Sequence, residues 1–133
     1  MSYDDNTMRE IVALEIAQLS AVNDVYDADT ADAPNELDMP WAVVRWYDRL
    51  DGMGRLWRRP FDVWVYVPLG DRQPGEDIAH DIAARLAALN PGIAKRNGFV
   101  NQIEDLGIGG DLRDDDYEAL VVVQHMRAVA SGD

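Results

Sequence analysis

Arg58-Arg59-Pro60-Phe61-Asp62-Val63-Trp64-Val65-Tyr66-Val67-Pro68 decides the fold, because it alternates as a strand does yet is apolar on both sides. Phe61, Val63, Val65 and Val67 make one face; Trp64 and Tyr66 stand on the other. A sheet built on such a strand needs cover twice. The Pro/Gly stretch Gly70 to Gly75 then leads into Ile78, Ile82, Leu86 and Leu89, one apolar stripe at helical spacing, which supplies cover for a single face. In a chain of 133 residues the second cover is predicted to come from another copy of the same protein.

Working outward, Trp41, Val43, Val44, Trp46 and Tyr47 predict a strand over Pro40 to Asp48, and Asp51-Gly52-Met53-Gly54 supplies the turn that folds it against Leu56 to Pro68 as an antiparallel hairpin. Upstream, Thr7 and Glu10 form a capping-box pattern, followed by Met8, Ile11, Val12, Ile16 and Leu19, which predicts a helix from Met8 to about Ser20. Val25-Tyr26 is a short strand candidate; the rest of Val22 to Met39 lacks periodicity and reads as an acidic loop. The second helix is predicted to begin near Pro74 and stop at Asn90-Pro91-Gly92. Phe99 to Leu106 and Glu118 to Val129 read as two further strands, with Gly107 to Tyr117 as an acidic loop between them. The sum is a single α+β domain: a two-layer sandwich with a mostly antiparallel sheet of about four to five strands and two helices on one face.

Composition narrows the function. A hydrophobic fraction of 47% excludes wholesale disorder, and no apolar run approaches the roughly 18 residues a membrane-spanning helix needs. Met1 to Thr7 is polar and acidic, unlike an export signal. With no cysteine there is no disulfide, thiolate nucleophile or cysteine-held metal. Twenty-five acids against twelve bases give a net charge of −13, which disfavours binding to a phosphate backbone. The bases are eleven arginines and Lys95, a bias expected of a G+C-rich coding sequence.

Few residues carry chemistry. Asp27, Asp29 and Asp32 lie in a loop as calcium ligands do, but Ala31 takes the third ligand position and Asp32 the place of the required glycine. Asp111, Asp114, Asp115 and Asp116 offer carboxylates for magnesium or acid–base work, yet neighbouring side chains of an extended segment diverge. Gly107 and Gly109 lack the third glycine and the helix of a dinucleotide loop. His80, with Glu76 and Asp77 one turn behind it, reads as a surface ion-pairing residue of the second helix and His125 as a packed or interfacial ring in the last strand. No catalytic, cofactor or metal site is predicted. The candidate oligomer or partner interface comprises Trp64, Tyr66, Trp46, Arg58, Arg59, Asp114, Asp115 and Asp116.

Val25-Tyr26-Asp27 before a variable loop, Pro40-Trp41-Ala42-Val43-Val44 opening a strand, Arg59 to Tyr66 with the following helix, and Leu112 to Tyr117 before the last strand together resemble the tail terminator proteins of long-tailed bacteriophages. The likeness runs from the first helix to Val129. It implies a virion protein of the neck and tail, assembled in the host cytoplasm as a hexameric ring. Such a ring caps the tail tube, ends its polymerisation and joins it to the head-side connector. The implied partners are the major tail tube protein and the connector or head-closure protein; genomic DNA passes through the lumen without specific binding. The alternatives are another phage neck protein (head closure or tail completion), a binding module of a toxin–antitoxin or secretion system, or a small acidic metal-dependent hydrolase using the two aspartate clusters.

Overall fold

The strand quoted above is the central member of the sheet. A computed structural model of the chain describes residues 5–27, 39–48, 50–51, 56–88, 100–116 and 118–131. Its elements are α1 (Asp5–Ala17), β1 (Asp24–Asp27), β2 (Trp41–Trp46), β3 (Leu50–Asp51), β4 (Leu56–Pro68), α2 (Gln73–Ala87), β5 (Val100–Asp114) and β6 (Ala119–Ser131). The sheet runs β1-β2-β4-β6-β5, with β3 paired to the start of β4. β4 is antiparallel to β2 and, along its whole length, to β6. Among the described residues only β1, laid parallel on β2, breaks the antiparallel pattern. The fold is therefore the expected α+β sheet with two helices; the short β3 raises the strand count to six.

Both helices pack on one face. Pro74 stands in the first turn of α2, where its missing N–H costs nothing, and Asp71 Oδ1 accepts the Gln73 N–H at 2.9 Å just outside the helix. Ile78, Ala79, Ile82, Ala83 and Leu86 are buried against Val63, Val65 and Val67 of β4 and Val122 and Met126 of β6. Val12 and Ile16 of α1 complete this core. The two helices are tied by Arg85, whose guanidinium meets Glu15 Oε2 at 3.1 Å and donates to Gln18 Oε1 at 2.6 Å. α1 begins at Asp5, so Thr7 lies inside the helix and the predicted capping box does not mark its start. It ends at Ala17, where the Gln18 and Leu19 amides reach back three residues to Glu15 and Ile16. Residues 28–38, predicted as a loop, and the predicted stop at Asn90-Pro91-Gly92 lie outside the described residues.

β5 departs most from expectation. It continues through the Gly107 to Asp114 segment that composition assigns to a loop. Three register shifts against β6 absorb the irregularity, between Val100 and Gln102, Asp105 and Gly107, and Gly109 and Asp111. At the second, Gly107 adopts φ +95°, and Asp105 Oδ1 accepts both its amide, at 2.8 Å, and the buried Gln124 Nε2, at 2.6 Å.

The face of the sheet away from the helices is ordered in rows. Trp41, Tyr66, Val121 and Leu112 are cross-strand partners in one row, Val43, Trp64, Val123 and Gly109 in the next, and Arg45, Asp62, His125 and Gly107 in a third. Trp41 stacks on Tyr66 with ring centroids 3.8 Å apart and planes within 9°, an arrangement worth roughly 0.5–1.5 kcal/mol beyond its area. These residues correct the sequence reading. Trp41 is 2% exposed and Tyr66 3%, with Val43, Val121 and Val123 also buried, so one chain already withdraws most of this face from water. Trp46, another candidate interface residue, pairs with Phe61 and belongs to the helix-side core, opposite Trp64.

Candidate partner-binding site

A cavity of about 330 Å³ opens where the far face meets the β5–β6 turn, lined by Trp64, Val121, Leu112 and the run Arg113 to Asp116. Strand register explains the meeting. Leu112 pairs with Val121, which pairs with Tyr66, so the end of the β5–β6 hairpin is carried alongside the Trp64 end of β4. The turn is held by its own side chains: Asp114 Oδ1 accepts the Asp116 N–H at 3.0 Å, and Arg113 Nε meets Asp115 Oδ1 at 2.8 Å in the open. Glu118 closes it at φ 50°. Trp64 is half-buried, with the Arg45 guanidinium 4.3 Å from its ring centre. Its Nε1 is buried without a hydrogen-bond partner. The result is an aromatic and aliphatic floor under a wall of three carboxylates.

The structure thus joins four of the candidate interface residues, Trp64, Asp114, Asp115 and Asp116, in one place. Tyr66 lies beneath that surface as a buried core ring, and Trp46 is on the opposite side of the sheet. Arg58 and Arg59 stand near the other end of β4. Arg59 donates from Nε to the Tyr47 carbonyl at 3.0 Å and lies 5.3 Å from the Trp46 ring centre, while the side chain of Arg58 is exposed. Sequence does not mark Leu112 and Arg113 as lining residues, because the segment before Tyr117 looks like loop until its register with β6 is known, nor Val121, whose strand is legible but whose partner Leu112 is not.

A second cluster lies in the charged row. Asp62, 7% exposed, accepts the Tyr47 hydroxyl on Oδ2 and meets His125 Nδ1 at Oδ1, both at 2.6 Å. The bond to Asp62, then partial burial and the Asp62 charge, raise the Tyr47 hydroxyl above its ordinary pKa of 10.0, against an opposing pull from Arg45. The His125 ring, expected to be packed or interfacial, is 43% exposed, and its other edge lies so close to Gly109 that a Cβ there would overlap it. Both edges of the imidazole are therefore occupied, by Asp62 and by the β5 backbone. An orienting carboxylate is present, but the geometry is that of a cross-strand clamp. His80 is exposed on α2, but the ion pairing expected of it with Glu76 or Asp77 is not found among the described residues.

Of the first aspartate cluster, only Asp27 is described; it lies in β1 with Arg9 at 3.9 Å, and Asp29 and Asp32 lie outside the described residues. Among the described residues no three histidine or acidic side chains converge as metal ligands. None of their helices is long and apolar enough to cross a membrane.

No protein-family model matches this sequence, and no curated protein matches it.

Proposed function

We propose that the chain is a structural subunit of a long-tailed bacteriophage neck, forming a ring that caps the tail tube, ends its growth and joins it to the head-side connector while DNA passes through. The observation that carries this reading is the cavity between Trp64 and Asp114, Asp115 and Asp116. An apolar floor with a fixed anionic wall matches the composition of a protein-recognition patch, aromatic at the centre and charged at the rim. Its lining contains no nucleophile–base pair. The net charge of −13 suits a conduit that must not retain DNA. The order of elements and the motifs around Val25, Trp41, Phe61 and Leu112 supply the resemblance to tail terminators.

Electron microscopy of the purified chain tests the reading. Closed rings with a central bore wide enough for duplex DNA are expected. Open filaments, or particles without a bore, would refute the terminator role.

A further inference from the structure

Among the described residues, every arginine but one has a partner. Arg9, Arg72, Arg85, Arg113 and Arg127 sit in ion pairs, Arg45 on the Trp64 ring and Arg59 on the Tyr47 carbonyl. Arg58 is the exception: it is exposed, and its side chain makes no hydrogen bond, ion pair or ring contact. In a chain with twice as many acids as bases, an unengaged guanidinium stands out. The acidic wall has a counterpart. Asp115 is held by Arg113 and Asp114 is tied into the turn, but the Asp116 carboxylate engages no side chain among the described residues. It stands exposed at the rim of the cavity.

We propose that Arg58 of one copy enters the Trp64 cavity of the next, its guanidinium on Asp116 and its methylene stem against Leu112 and Val121. This rests on the ring reading and specifies its subunit contact. Arg58 and Trp64 are both even-numbered positions of β4 and share the far face, six residues or roughly 20 Å apart. A cation at one end of a strand and its receptor towards the other cannot satisfy each other within one subunit. They make a head-to-tail contact, the kind that closes into a ring when the rotation between copies permits. The cavity is large enough for an arginine side chain, and because Asp116 stands exposed at its rim the charge pair is one that salt screens.

The test uses R58E and D116R in the full chain, with circular dichroism to confirm that each is folded. Sedimentation at low salt should show wild-type oligomers and about tenfold or greater weakening in each variant alone. Mixing the two variants should restore assembly, because R58E presents a carboxylate to the cation of D116R while the native Arg58 and Asp116 of the pair still meet. Alternating rings result. Recovery on mixing cannot come from a defect of folding. If both single variants assemble as the wild type does, or if mixing restores nothing, the contact is wrong and the ring reading stands on other surfaces. A wild type that stays monomeric would instead remove the ring reading itself.

Discussion

Asp62 and His125 are 63 residues apart in sequence and directly opposite in strand register, with Oδ1 and Nδ1 separated by 2.6 Å. The pair joins β4 to β6, and because the His125 ring lies over Gly109 it reaches β5 as well. Truncating Asp62 to Ala orphans the Tyr47 hydroxyl and the imidazole together. A loss of about 1–3 kcal/mol of folding stability is expected in urea titrations. An unchanged midpoint would show that the clamp contributes nothing.

Tyr47 gives the fold an alkaline limit. Its pKa is raised in the folded state, so the folded protein holds that proton more tightly than the unfolded chain does. The associated stability is fully present below about pH 10, the ordinary tyrosine value, and is lost as pH rises through the raised folded pKa. Tyr26, raised chiefly by burial and then by Asp24, contributes in the same sense. Denaturation across the alkaline range should therefore show a shallower fall in stability for Tyr47→Phe than for the wild type. An equal fall in both would place the effect elsewhere.

Trp41 and Trp64 stand in adjacent rows of one face and should respond differently to truncation. Trp41→Ala opens a hole in a buried stack and is expected to cost about 3–5 kcal/mol. Trp64→Ala, at a half-buried cavity floor, should cost less and act mainly on self-association. Thermal melts paired with sedimentation separate the two. A Trp64 variant that unfolds outright would make that ring core rather than contact.

The elements set by strong periodicity were legible from sequence. β4 was read at its observed bounds of Leu56 and Pro68, and Val25-Tyr26 falls within β1. The sequence pattern ends this strand at Leu106 because glycine and aspartate from Gly107 to Asp114 carry loop chemistry, whereas bulges let the same residues remain paired with β6. Residue type alone makes Trp46 and Trp64 alike as interface candidates; the register of β2 against β4 puts the two on opposite faces. The Asp62–His125–Tyr47 cluster is not legible in sequence for a related reason. Its members are ordinary in local sequence and meet only through pairing across β2, β4 and β6.

DNA should not bind. The net charge is −13, and among the described residues the arginines other than Arg58 are engaged within the chain and leave no basic footprint for phosphate. Fluorescence anisotropy with duplex DNA is expected to show no binding even at low ionic strength. Tight binding with a steep salt dependence would turn attention to Arg45 and Trp64 as a nucleic-acid surface.

The central claim is assembly, and native mass spectrometry of the full chain tests it most directly. The account predicts particles of six copies of the 14.9 kDa chain, dissociating as salt rises. A strictly monomeric protein at high concentration and low salt would contradict it.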